Sequence, residues 1–295
     1  VAGGGIITYV SGCMAPTLRT PVLRSILLCS LIAAMTLLPP AARAGDPLKP
    51  EPKIRLCVVV SSSPDYVILQ WYPMLTYLTG AIGRPFEILI RDSYEDMLDD
   101  YRRGEIDLLM SGPFNYVKTK QAAGATLVAA AERLDPNRFH GVIAVRGASS
   151  VDSLEELRGK IFAFTEPYST TGYLLPRLLM ADAGIVQPAD FFREVVFSGH
   201  HAEALEAVIS GHVDAAAFVS YLVEEAKRDR GIDLKVIAMT PTLPPEPVYA
   251  HLSLDPALVA RIRDALLVMH ECVSPDVMER LGLSRFSAVA DSDYD

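Results

Sequence analysis

Cysteine is too scarce in this chain to staple a fold: there are four in 295 residues, and Cys13 and Cys29 fall in the N-terminal stretch. Cys57 and Cys272 remain, far apart in sequence, so a disulfide framework is excluded. Either the two pair or each is a buried free thiol. Positive charge is also short, with 27 Lys and Arg against 36 Asp and Glu. A nucleic-acid partner needs basic patches, so none is expected, and an anionic membrane surface is disfavoured too. After residue 44 no apolar run is long enough to span a bilayer. Enzyme signatures are missing as well: there is no G-x-S-x-G elbow, S-x-x-K, C-x-x-C, H-E-x-x-H or phosphate-binding Walker loop. His200 and His201 are adjacent and lack the spacing of zinc ligands, so neither a metal nor a cofactor is expected.

What the chain does have begins with a leader. Arg19 and Arg24 precede the apolar run from Ser25 to Leu38, and Ala42-Arg43-Ala44 supplies a small-x-small cleavage site before Gly45. Residues 1–44 therefore read as a signal peptide with an upstream extension, Met14 being the natural start. Gly45 is not a cysteine, so no lipid anchor is expected. The mature protein should be soluble and exported. Its leader would remove three arginines and no acid, leaving 24 basic against 36 acidic residues, a net of −12. Any anionic ligand must then be held by local donors against the overall field.

Beyond the proline-rich "DPLKPEPK", short apolar runs alternate with helical patterns: "IRLCVVV", a helix through "YVILQWYPMLTYLTGAIG", "FEILI", a helix through "SYEDMLDDYRRG", "IDLLM", a helix from Pro113, and "TLVAAA". The order predicts an α/β fold with helices on both faces of a parallel or mixed sheet. Ser93 with Asp96 predicts a capping box, Gly104 a helix stop, and Pro113 a first helical position. The second half repeats the theme with "VDSLEELRGKIFAF" (capped at Ser153, with Glu156), "STTGYLLPRLLMADAG", "FREVVF", "HAEALEAVISG", "VDAAAFV" and "LKVIAMT". "RRGEIDLLM" and "ISGHVDAAAF" match each other, which makes Asp107 and Asp214 equivalent. We therefore expect two similar α/β lobes: 45–139 plus 247–295, and 140–246. The proline-bearing segments "RLDPNRFHGVIAVRG" and "IAMTPTLPPEPVYAHLSL" are the two hinge crossings, with the helices after Asp255 returning to the first lobe. Such a pair of lobes leaves a ligand cleft at the strand carboxyl ends.

The turn "EPYSTTGYLLP" is the main candidate for that cleft. Ser169, Thr170 and Thr171 sit between the strand "IFAF" and a helix, where free N–H groups and the helix dipole favour an anion. Gly172 would let a ligand approach the backbone. A plain Ser/Thr cap is the rival reading and needs only one hydroxyl. "FSGHHAEALEAV" places His200 and His201 at a second helix start. "RDSYEDML" and "MSGPFNYV" place Tyr94 and Ser111 at two more. Together they describe a cage of hydroxyls, imidazole and backbone amides for a small oxyanion.

These segments resemble the phosphonate/phosphite/phosphate-binding proteins of ABC transporters, a branch of the two-lobed, type 2 periplasmic solute-binding family. The marks are "GEIDLLMSGPFNYV", "EPYSTTGYLLP", "SGHHAEALEAVISGHVDAAA" and "LPPEPV", in the family's order across residues 53–291. The resemblance implies that Ser169, Thr170 and Thr171 hold the oxyanion oxygens, with Tyr94 and one of His200 or His201 beside them. It implies an inner-membrane permease as partner and no bond chemistry. It also aligns Tyr221 and Glu246 with two acidic positions that hold a ligand's ammonium in aminoalkylphosphonate binders, and Phe139 with a tyrosine at a crossing. One acid is thus lost, which favours phosphite, methylphosphonate, phosphate or a related oxyanion. Relatives continue past "DSDYD" with another helix. The alternatives left open are a sensory module, or a receptor of this fold for a sulfonate or organic acid; an enzyme on the same scaffold is a third.

Overall fold

The computed structural model describes residues 52–58, 64–91 and 93–295. The leader, and Val59 and Val60 of the first strand pattern, lie outside the described residues. In chain order the elements are β1 (Ile54–Val58), α1 (Pro64–Ile82), β2 (Phe86–Leu89), α2 (Tyr94–Arg102), β3 (Leu108–Met110), α3 (Pro113–Ala123), β4 (Thr126–Arg133), β5 (Gly141–Arg146), β6 (Ile161–Phe164) and α4 (Leu175–Asp182). There follow α5 (Pro188–Phe191), β7 (Glu194–Phe197), α6 (His201–Ser210), β8 (Ala215–Val219), α7 (Tyr221–Arg230), β9 (Leu234–Met239), β10 (Glu246–Ala250), α8 (Pro256–Leu267), α9 (Met269–Cys272), α10 (Pro275–Leu281) and β11 (Leu283–Ser287).

The strands form two sheets, ordered β11-β4-β10-β3-β1-β2 and β7-β6-β8-β5-β9. Without β11 they are the same sheet twice. Each has a first strand flanked by two parallel neighbours, then an antiparallel strand that has arrived from the other sheet. The chain changes sheet between β4 and β5 and again between β9 and β10, which are the two proline-bearing segments singled out in the sequence. After β10, helices α8 and α10 pack with α1 on one face of the first sheet, and β11 pairs with β4. Helices α2 and α3 cover the opposite face, around Tyr101, Tyr116 and Tyr249. The second sheet is buried likewise between α4 with α5 and α6 with α7.

The recurring aspartates explain the repeat physically. The Asp107 carboxylate accepts from Arg55 N at 2.8 Å and is gripped by the Arg55 guanidinium, while Asp107 N donates to Arg55 O at 3.0 Å. Asp214 does the same for the first residue of β6, accepting from Ile161 N at 2.9 Å and donating to Ile161 O at 3.0 Å. Each aspartate ties the start of the third strand to the start of the first, where a strand's first backbone groups would otherwise lack partners.

Local signals hold at several points. Ser93 accepts from Asp96 N, Pro113 is at the first position of α3, and Gly104 has φ 68° just past α2. Ser153 does not cap a helix. Residues Glu155–Leu157 form a 3-10 turn flanked by Leu154, and Glu156 instead reaches back to Asp152 N at 2.7 Å. Cys57 is a buried free thiol whose pKa burial pushes up to about 12, so it forms no bridge with Cys272. Among the described residues no helix is long and apolar enough to cross a membrane.

Candidate functional site

The "STTG" turn is not the start of a regular α-helix. Ser169 Oγ accepts from Gly172 N at 2.9 Å, and Leu174 N donates to Ser169 O, five residues back, at 3.0 Å. The result is a wide π-type turn over Thr170–Leu174, after which α4 begins. Pro176 accounts for it. In a regular helix its missing N–H would strand the Gly172 carbonyl; here that carbonyl accepts from Thr165 N at 3.2 Å instead. Such wide turns often lie at functional sites.

Two side chains of this turn reach across to the first lobe. Thr170 Oγ1 accepts from Phe114 N at 3.0 Å, and Glu166 Oε2 accepts from Tyr94 N at 2.8 Å. The starts of α3 and α2 are therefore capped by side chains of the opposite lobe. Gly112 permits the approach, because a Cβ there would lie 2.8 Å from Thr170 Oγ1.

Between these contacts lies a cavity of about 70 Å³. Ser169, Thr170, Thr171, His201 and Tyr221 line it from the second lobe, Tyr94 and Pro113 from the first, and Phe139, Arg133 and Glu246 at the crossings. The Thr171 hydroxyl has no hydrogen-bond partner among the described residues. His201 Nδ1 accepts from Val219 N at 3.2 Å, which leaves the proton on Nε2 as a donor. Burial, with help from His200, pushes the His201 pKa down to about 4, so the ring is neutral at physiological pH. Tyr94 is also buried, and burial together with the Glu166 carboxylate holds its phenol well above the ordinary range. It is a donor at any working pH. The hydroxyls, the Tyr94 phenol and the His201 imidazole are therefore neutral donors and caps, suited to an anion. Among the described residues no group of three or more His, Cys, Asp or Glu could hold a metal ion.

Two of the ten candidates lie elsewhere. Ser111 is buried in the first lobe, donating to Asn115 Oδ1 at 2.9 Å and lying 2.9 Å from the Tyr249 hydroxyl. His200 sits outside the cavity with Nδ1 3.9 Å from Glu166 Oε1. Two residues not singled out in the sequence are prominent. Glu166 opens the quoted motif and bridges the lobes. Arg133 pairs with Glu246 and lays its guanidinium 4.2 Å over the Phe139 ring, which itself stacks on Tyr221 at 6.3 Å.

The two lobe-facing titratable groups act in opposite directions with pH. Burial raises the Glu166 carboxyl to about 7, against the opposing Tyr94 N–H, so its protonated form is the one the fold favours. Stability from this group is full below about pH 4.5 and is lost as pH rises through 7. The lowered His201 contributes the reverse, present above about pH 6.5 and lost as pH falls through 4. A shallow melting profile between pH 4.5 and 6.5 is expected in the wild type. Glu166→Gln keeps the acceptor and removes the charge. It should raise the melting temperature at pH 8 by several degrees, the spared burial being on the order of 2 kcal/mol. Its profile should then rise with pH up to about 6.5 and flatten. A Glu166→Gln profile parallel to that of the wild type would show that Glu166 does not titrate this way.

The family model described as "ABC transporter, phosphonate, periplasmic substrate-binding protein" matches residues 56–294. The phosphonates-binding periplasmic protein of Escherichia coli (strain K12) is 24% identical over 285 residues, covering 93% of this chain and 82% of its own. Among solved structures, a binding-protein component of a Pseudomonas aeruginosa phosphonate ABC transporter superposes with a TM-score of 0.75 at 22% identity, over 82% of this chain and 83% of the other. The PhnD1 protein of Prochlorococcus marinus (MIT 9301), in complex with methylphosphonate, gives a TM-score of 0.73 at 18% identity, over 82% and 94% of the two chains.

Proposed function

This chain belongs to the family of periplasmic substrate-binding proteins of phosphonate ABC transporters, and on that premise we propose that it closes its two lobes around a small phosphorus oxyanion and delivers it to an inner-membrane permease. Phosphonate, phosphite and phosphate are the ligands the cavity suits. The lobes are residues 45–139 with 247–295 and residues 140–246, hinged at the two crossings. The protein works as an exported monomer, freed of residues 1–44. No bond is made or broken; the cycle is hinge closure, burial and release.

One observation carries this reading: Thr170 both lines the cavity and caps α3 of the opposite lobe. A ligand held at that hydroxyl is held where the lobes meet, so binding and closure are one event. Ser169, Thr171, Tyr94 and the Nε2–H of His201 supply further neutral donors. Glu246, the one acid lining this cavity among the described residues, is already paired with Arg133, so it does not repel an anion.

Thermal melting with methylphosphonate, phosphite, phosphate and sulfate tests it. At a hundredfold excess over Kd, one phosphorus oxyanion should raise the melting temperature by about 5–10 °C. Flat curves with all three phosphorus compounds would remove the ligand class, and a shift with sulfate alone would replace it.

A further inference from the structure

The cavity lined by Thr170 adjoins a second one of about 180 Å³, and the two share Arg133, Phe139, Leu243 and Glu246 as walls. Pro136, Pro244, Pro245 and Glu132 line the rest of this annex. Its walls are mostly apolar, and its charges are cancelled before any ligand arrives. Glu132 is held by Arg285 at 2.9 Å, and Glu246 by Arg133, whose guanidinium lies 4.2 Å from the centre of the Phe139 ring. The Glu246 side chain is 13% exposed and that of Arg133 27%, so this ion pair is largely shielded from water.

We propose that this annex is a tail subsite that takes the short, uncharged substituent of an alkylphosphonate, and that Arg133 makes it reject an ammonium tail. The proposal rests on the oxyanion reading above and names the ligand within it. An alkyl group entering the annex gains burial against proline, leucine and phenylalanine at no electrostatic cost. An ammonium group must share Glu246 with a guanidinium already bound there, and it also gives up its own hydration. Like charges set side by side in a shielded site are how a pocket discriminates against a partner of similar shape.

Propylphosphonate and 2-aminoethylphosphonate are the decisive pair, because they differ only in a methyl against an ammonium. By titration calorimetry at pH 7.5 the wild type should bind propylphosphonate at least about tenfold more tightly. Arg133→Met leaves Glu246 buried without its partner, which a ligand cation can then satisfy. The ranking should narrow or invert, by about tenfold or more. Arg133→Met combined with Glu246→Gln removes both charges and should restore the preference for propylphosphonate. If Arg133→Met does not fold, the wild-type ranking and the double variant still decide. Equal wild-type affinity for the two compounds, or a ranking that Arg133→Met does not move, overturns the tail subsite while leaving the oxyanion reading intact. No binding of any phosphorus oxyanion by the wild type overturns both.

Discussion

Thr170→Ala is expected to weaken binding of the preferred phosphorus oxyanion by about 10- to 100-fold, because a hydrogen bond to a charged group is worth about 1.5–3 kcal/mol. The Thr170 hydroxyl has two functions at once. Its oxygen accepts from Phe114 N at 3.0 Å, so its own proton is free to donate into the cavity it lines. Deleting it removes an oxyanion donor and uncaps α3 across the lobe boundary in the same step. The ligand-free protein should melt within about 2 °C of the wild type, since opening the lobes lets water satisfy Phe114 N. A purely structural Thr170 would behave oppositely, losing melting temperature with little effect on affinity. Thr170→Val keeps the shape and should lose affinity like Thr170→Ala, whereas Thr170→Ser should recover most of it. Calorimetry giving wild-type affinity for Thr170→Val would remove Thr170 from the binding site.

How far the sequence carried this picture depends on the distance over which each residue acts. Gly104 and Pro113 punctuate helices as read, and Ser93 caps α2 by accepting from Asp96 N, the serine half of the capping box. Asp107 and Asp214 were legible as equivalents because the same short pattern recurs, although their tie to the first strand of each sheet was not. Ser169 is both: its oxygen caps the turn by accepting from Gly172 N, and it lines the cavity beside Thr170 and Thr171. Ser111 shows the limit of local reading. A serine between strand and helix looks the same whether it faces a cleft or a core, and here Tyr249, arriving after the second crossing, draws it inward. The neighbours His200 and His201 could not be separated until Val219 N fixed one ring. Glu166 and Arg133 carry no local signal for the same reason: their partners, Tyr94 and Glu246, lie 72 and 113 positions away, one across the lobe boundary and the other beyond the second crossing.

Gly172 should be the least replaceable residue of the turn, and the reason is space. It is absent from the positive-φ glycines, so its backbone suits any L-residue. A Cβ at 172, however, would overlap Thr165 Oγ1 and lie 2.6 Å from Thr165 Cγ2 and 2.7 Å from Thr165 Cβ. Neither side can yield easily. Thr165 is 1% exposed, and its N–H is tied to the Gly172 carbonyl at 3.2 Å, the bond that replaces the one Pro176 cannot make. Overpacking of a rigid site costs about 1–3 kcal/mol. For a domain of this size Gly172→Ala should therefore lower the melting temperature by about 4–10 °C. It should also displace Ser169, Thr170 and Thr171 together, so oxyanion affinity should fall by more than in Thr170→Ala alone. Thr165→Gly in the same chain removes all three clashing atoms and should restore more than half of the lost melting temperature. Losses from Thr165→Gly and Gly172→Ala that simply add would mean the two residues do not compete for this space. Sub-additive losses would place the constraint on the turn itself, where the width that Pro176 requires leaves no room for a side chain at residue 172.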